Sequence, residues 1–267
     1  MLQLPILSDQ VDSIELLVDI KGETLLQMEL HQGPENGSTF PERQIWSGSV
    51  ELGAGEKQWV RVPLGCKIDQ PGWHFLIIAA NDKVDLHMGK PTTGSMRYGI
   101  RRVNPHKPNP FSKWGRQRDA VYCYRIQPQQ RAYESSNVIS PWSRPTNLPN
   151  LWASKRTEFQ EAEWLELSWK QPQKIQEITV LFDSMLDFQF RQRLIDYGQN
   201  VISSLVKKYR LLARKGSQPW ETLVQVDDNY QRLCRHSFDP IEISEIKLEI
   251  LETNGLDRAQ VYALRVY

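Results

Sequence analysis

The stretch Ile241-Glu242-Ile243-Ser244-Glu245-Ile246-Lys247-Leu248-Glu249-Ile250 decides the fold, together with Leu251-Glu252-Thr253-Asn254-Gly255 and Gln260-Val261-Tyr262-Ala263-Leu264-Arg265-Val266-Tyr267. From Ile241 to Ile250, apolar residues fall on nearly every second position, the period of a half-buried strand. Asn254-Gly255 tolerates positive φ and turns the chain. Beyond it Val261, Ala263 and Arg265 point one way, and Tyr262, Leu264 and Val266 the other.

The same period runs upstream. Glu163 to Trp169 alternates strictly, with Trp164, Glu166 and Ser168 on one face and Leu165, Leu167 and Trp169 on the other. Gln173 to Asp183 reads as a separate strand carrying Ile175, Ile178, Val180 and Phe182. Val206 to Ala213, Glu221 to Val226 and Arg232 to Phe238 follow. Residues 184 to 205 break the pattern as a long insertion, with room for a helical turn or more.

In the first half, Ile14, Leu16, Val18 and Ile20 alternate with polar neighbours. Lys21-Gly22-Glu23 links them tightly to a strand with Leu25, Met28 and Leu30, which predicts a hairpin. Ile45–Leu52 and Gln58–Leu64 are further strands. Gly72 to Ala80 is almost continuously apolar, as in a central strand covered on both faces. Residues 81 to 117 read as polar loop, and the alternating prolines of 103 to 110 exclude helix. Ala120 to Ile126 closes the set. Short strands punctuated by Gly and Pro, with almost no helical period, predict an all-β fold of two β-sandwiches. The expected domains are 1–130 and 131–267, with Gln127-Pro128-Gln129-Gln130 as linker.

Composition narrows the function. Lys plus Arg number 33 and Asp plus Glu 32 in 267 residues, so no global basic field favours nucleic acid or an anionic membrane. The chain is 40% hydrophobic, enough for a core. No apolar run reaches membrane-spanning length, and Met1-Leu2-Gln3-Leu4-Pro5 is not a signal peptide. Cys66, Cys123 and Cys234 lack disulfide-framework or zinc spacing and read as free thiols. His31, His74, His87, His106 and His236 are scattered, and no Gly-x-Ser-x-Gly, His-Glu-x-x-His, phosphate loop or Gly-x-Gly-x-x-Gly occurs. The adjacent carboxylates Asp227-Asp228 do not make a facing catalytic pair. These signs agree with a chain that is not an enzyme by itself. His236, inside a strand, reads as structural.

Several pieces resemble discoidin-type modules, also called coagulation-factor type C domains. The first half of the module is matched by Asn137-Val138, Asn150-Leu151-Trp152-Ala153-Ser154, Glu163-Trp164-Leu165-Glu166-Leu167 and Phe182-Asp183. The second half is matched by Tyr209-Arg210-Leu211-Leu212-Ala213, Trp220-Glu221-Thr222-Leu223, Asn229-Tyr230, His236, Phe238, Thr253-Asn254-Gly255 and Ala259, Val261 and Tyr262. The likeness covers about half the chain. Ser143-Arg144-Pro145 stands where the family has Asp-Gly. The loop-rich first half, paired with such an end carrying Asn229-Tyr230-Gln231-Arg232, also resembles the carboxyl-terminal accessory region of bacterial FAD-dependent oxidoreductase-type proteins.

The first resemblance implies a jelly-roll sandwich, galactose-binding-like, that binds glycans, phospholipid head groups or proteins through loops at one end. By chain order those loops are 140–152, 183–205 and 227–235. The candidate ligand-binding residues are Trp142, Arg144, Asp183, Arg191, Arg193, Tyr197, Asn229, Tyr230 and Arg232. Trp142 and Tyr230 read either as surface platform or as core lid; Trp152 and Trp164 match core-like positions. No cofactor is expected. Calcium, which some relatives hold in a structural loop, is a minor alternative here, with Asn150, Asp183 and Glu252 as oxygen donors. The expected function is non-catalytic carbohydrate or cell-surface binding. The alternative is a structural accessory region with a flavoenzyme-like partner in cis or in trans, which would present a broad apolar patch on one sandwich face. The compartment is extracellular or periplasmic if the chain belongs to a longer secreted protein, and otherwise cytoplasmic.

Overall fold

Where the sequence alternates, the chain forms strands. In this computed structural model the described residues are all but 35–40, 90–95, 103–110, 118–120, 145, 147, 156–158 and 186–200, with 96–102 and 111–117 described as backbone. The chain divides into two units, Met1–Ala132 with Thr146–Pro149, and Tyr133–Pro145 with Asn150–Tyr267. Among the described residues, no helix is long and apolar enough to cross a membrane.

The first unit holds β1 (Leu2–Ile6), β2 (Gln10–Ile20), β3 (Thr24–Gln32), β4 (Arg43–Leu52), β5 (Gly55–Lys67) and β6 (Gly72–Ile78). It continues with β7 (Val84–Leu86), β8 (Met88–Gly89), β9 (Met96–Arg102), β10 (Phe111–Gln117), β11 (Val121–Tyr122) and β12 (Tyr124–Gln127). One sheet has the order β10-β9-β1-β6-β3-β4; a second has β12-β2-β5, with β7 also on β2; β11 pairs β8. Their inner faces share one core, in which Leu4, Leu30 and Leu76 meet Ile14, Leu16, Val18 and Val62. Burying both apolar faces against each other is what makes this a sandwich.

Four details differ from the sequence reading. β2 and β3 are not a hairpin: β2 pairs β5 and β12 whereas β3 pairs β4 and β6. Lys21-Gly22-Glu23 therefore carries the chain from one sheet to the other. Alternation specifies which face is buried, and it is silent about which strand lies alongside. The amino terminus forms β1, whose five residues are all buried. Within 81–117, read as loop, β9 and β10 pair antiparallel; the proline-rich 103–110 lies outside the described residues. Gln127 belongs to β12, opposite Ser13. The Gln130 side chain accepts from the backbone N–H groups of Leu7 (2.6 Å) and Ser8 (3.1 Å). Residues 127 to 130 are thus fastened to the first unit instead of forming a loose linker.

The second unit opens with a 3-10 turn, Ser135–Ile139, whose Val138 enters the core. Its strands are β13 (Trp152–Ala153), β14 (Glu163–Phe182), β15 (Val206–Arg214), β16 (Glu221–Val226), β17 (Leu233–Thr253) and β18 (Gln260–Val266), in the order β13-β18-β14-β17-β15-β16. β14 and β17 each span two of the strands read from sequence. Glu163–Ser168 pairs with Ile250–Glu245, and Glu177–Leu181 pairs with Ser237–Leu233, with breaks between. Pro172 and Pro240 sit inside those breaks, where a missing N–H costs no ladder bond. Each long strand crosses from one layer to the other there. Phe182 and Tyr209 show the result: they lie on strands that are not paired, and their rings meet edge to face at 5.1 Å.

The core holds a few polar groups, each with an account. The Tyr209 hydroxyl and His236 Nε2 are hydrogen-bonded at 2.9 Å, so His236 is a structural histidine, as read. Burial pushes the Tyr209 phenol up and the His236 imidazole down. All three cysteines are free.

His74 on β6 is fully buried. Its Nδ1 bonds the Gly72 carbonyl oxygen at 3.1 Å, and Nε2 has no partner among the described residues. Burial holds the imidazole below its usual value of about 6.5. The neutral form is the one the fold prefers. The stabilisation is therefore complete above pH about 6.5 and is lost as pH falls from there through the depressed folded value. Lowering pH from about 7.5 to about 5.5 should lower the melting temperature, and His74→Leu should shrink that loss. An equal loss in both proteins would show that His74 is not responsible.

Candidate binding site at the loop end of the second unit

Four loops meet at one end of the second unit, and side chains tie them together. Asn229 is buried between β16 and β17. Its Nδ2 donates to Val206 O (2.7 Å) and Gln231 O (3.0 Å), and its Oδ1 accepts from Gln231 N (3.0 Å). Asn254 Nδ2 donates to Leu205 O and Asn229 O, both at 3.1 Å. Gly255 takes φ +138°, open to glycine and strained for other residues. Ser204 Oγ donates to Asp183 O (3.1 Å). Arg232 Nη2 donates to Ser143 O, which fastens the 140–144 loop to the start of β17. These bonds satisfy backbone groups that irregular loops leave over.

The candidate residues separate into three groups. Trp142 and Tyr230 stand in solvent, 57% and 66% exposed, and Arg144 is exposed beside Trp142. Both aromatics are therefore surface residues, not core lids. Asp183, Asn229 and Arg232 are held inward. Asp183 is buried, and its Oδ1 accepts the Met185 N–H at 2.9 Å. The Asn229 amide is engaged on both its atoms, so it serves as a loop staple. Arg232 is half-buried, with its guanidinium 5.6 Å from the Tyr262 ring centre. Burial pushes the Arg232 guanidinium down; Tyr262 and Asp183 pull it back up, and the like charge of Arg144 adds to the lowering. Arg191, Arg193 and Tyr197 lie outside the described residues.

Three participants escaped the sequence reading as site residues: the Ser143 carbonyl, the Asn254 amide and the Tyr262 ring. Asn254 and Tyr262 stand in the closing motif; a backbone carbonyl leaves no sequence trace. Trp152 is buried, as expected. Trp164 is not a core residue: it is 56% exposed, with Lys247 Nζ lying 5.3 Å from its ring centre and 4.4 Å from that of Trp220. It belongs to the outer-facing set of the strict alternation.

The described residues do not fit a calcium site. Glu252 is engaged by Lys207 (2.8 Å) and Lys208 (2.7 Å), which hold its carboxyl below the usual range. Asn150 turns its Nδ2, a donor, to Arg144 O. No group of three or more His, Cys, Asp or Glu side chains gathers among the described residues.

The class this defines is an all-β chain of two units whose second unit carries braced end loops with exposed aromatics. No protein-family profile and no curated protein matches the chain. Solved structures do resemble part of it. Chitosan-binding module 1 of a chitosanase/glucanase from Paenibacillus sp. IK-5 is 11% identical over 52% of this chain and 87% of that one, with a TM-score of 0.39. The family 32 carbohydrate-binding module of Streptococcus pneumoniae EndoD is 13% identical over 52% and 88%, with a TM-score of 0.40. The family 32 module of C. perfringens NanJ, in complex with galactose, is 16% identical over 51% and 86%, with a TM-score of 0.37.

The staple and the platform should respond differently to truncation. Asn229→Ala leaves the buried Val206 carbonyl and the part-buried Gln231 backbone groups without their amide partner and should cost about 1–3 kcal/mol in denaturant unfolding. Tyr230→Ala, one residue on, should change stability by less than about 0.5 kcal/mol. Equal costs would show that the amide does not brace the loops.

Proposed function

We propose that the second unit is a non-catalytic module that binds a carbohydrate or cell-surface ligand through its end loops. The observation that carries this reading is the placement of exposed Trp142 and Tyr230 on loops held together through Ser143, Arg232 and Asn229. A sugar ring packs its C–H groups on an aromatic face, while Arg, Asn and Asp side chains bond its hydroxyls. Braced loops lose little entropy on binding, which is what lets a small contact area hold a ligand. Two exposed rings and a few polar groups offer few contacts, so the expected affinity is weak, roughly 10 μM to 1 mM, or ~4 to 7 kcal/mol. The module in this reading spans 131–267.

The accessory-region reading, with a flavoenzyme-like partner, calls for a broad apolar face. The outer face of β14, β17 and β15 is instead laid out with charges. Arg210 pairs with Glu249 at 2.7 Å and Arg214 with Glu245. Cations cap the Trp164 and Trp220 rings. That pattern suits water and favours the loop-end reading.

A glycan array followed by titration calorimetry tests it. Trp142→Ala and Tyr230→Ala should each weaken binding about tenfold or more, as for truncated aromatic anchors, at unchanged melting temperature. Binding untouched by both changes, or an array with no hit, would remove this function.

A further inference from the structure

We infer that the loop-end site selects saccharides carrying an anionic group, a carboxylate or a sulfate, gripped by Arg144 and Arg232. The inference rests on the glycan reading above and names the ligand class for that site.

Three observations converge. First, the bond from Arg232 Nη2 to Ser143 O sets one guanidinium against the backbone next to Arg144. Arg144 lies close enough to act on the charge of Arg232. Like charges brought together in partly buried surroundings repel, and an anion between them relieves the repulsion. Second, Arg232 Nε is buried with no hydrogen-bond partner among the described residues. A guanidinium is a rigid fork that matches carboxylate and sulfate oxygens and keeps its charge at any physiological pH. Third, exposed Trp142 lies two residues from Arg144, and exposed Tyr230 lies two residues from Arg232. A sugar ring on an aromatic face would therefore present its acidic substituent to the guanidiniums.

The local charge balance supports the arrangement. Among the described residues, Asp183 is the carboxylate acting on Arg232, and its Oδ1 accepts the Met185 N–H. Among these residues, one carboxylate faces two guanidiniums. Asp227 and Asp228 act on Lys208, which with Lys207 holds Glu252. The formal net charge of the chain is +1, so attraction for a polyanion must be local, not a field of the whole protein.

Affinity electrophoresis of the full chain uses two matched pairs of polymers: polygalacturonate against its methyl ester, and dextran sulfate against dextran. Within each pair the backbone is the same and the charge is absent from one member. At least one anionic member should bind about tenfold more tightly than its neutral partner, and which one does distinguishes carboxylate from sulfate. Arg144→Ala, an exposed change that leaves the Ser143 tie in place, should weaken that binding about tenfold, and Arg144→Lys should weaken it less. Trp142→Ala should weaken it too. Lys174→Ala, an exposed cation near the Pro172 break, should leave it unchanged. Equal binding of charged and neutral partners, lost in Trp142→Ala, would overturn the anion selectivity and keep the glycan reading. Polyanion binding that survives Arg144→Ala, or falls equally in Lys174→Ala, would overturn it as well. Silence from all four polymers overturns the selectivity; silence from the array too removes the glycan reading with it.

Discussion

The antiparallel pairing of β14 with β17 is the constraint on which the second unit depends. Twenty residues of one run against twenty-one of the other. The register breaks where Pro172 and Pro240 fall, so a single pair of strands contributes to both layers of the sandwich. Leu165, Ile178, Val180 and Phe182 enter one core from different layers, along with Ile246, Leu248 and Ile250. Because the pairing sets both layers at once, it also sets where the strands stop. Phe182, at the end of β14, donates its backbone N–H to the Arg232 carbonyl oxygen at 2.9 Å. The loops that follow Phe182 and precede Leu233 therefore have no choice but to meet.

The meeting of those loops explains the division of labour among their side chains. Groups that face inward must find partners or cost stability. Asn229, Asn254 and Ser204 meet that demand by bonding backbone carbonyls, and they hold the loops as a stiff rim. Groups that face outward have no such duty. Trp142 and Tyr230 remain in water although large aromatic surface is better buried. Arg232 stands between the two conditions: one arm is bound to the Ser143 carbonyl and one nitrogen is buried without a partner among the described residues. The rim thus combines a rigid frame, exposed rings and a cation that is only partly satisfied.

The first unit uses the same physics with shorter strands. Its two sheets share a core of Leu, Ile and Val, and the chain changes sheet at Lys21–Glu23 instead of folding back on itself. Trp59 on β5 is covered by Arg125 at 3.8 Å, and Trp46 packs on the core. Trp46 and Trp59 thus have structural neighbours.

Side-chain period and turn chemistry, both local properties, make much of this protein's architecture legible in its sequence. The all-β class follows from the alternation of Ile241–Ile250 and Glu163–Trp169, but that Pro172 and Pro240 interrupt long continuous strands is seen only in the fold. Trp164, read as core-like from the resemblance, proves exposed. Partnership between strands is not legible in the sequence. Whether β2 lies beside β3 or β5, and that Leu2–Ile6 is a strand between β6 and β9, depend on contacts far apart in sequence, which a period of two cannot encode. The site shows the same limit. Residue type marked Trp142, Arg144, Tyr230 and Arg232 as able to bind a ligand, but it could not tell that Asn229 braces the loops while Tyr230 beside it is free to touch solvent. Burial decides that difference, and burial is a property of the folded chain.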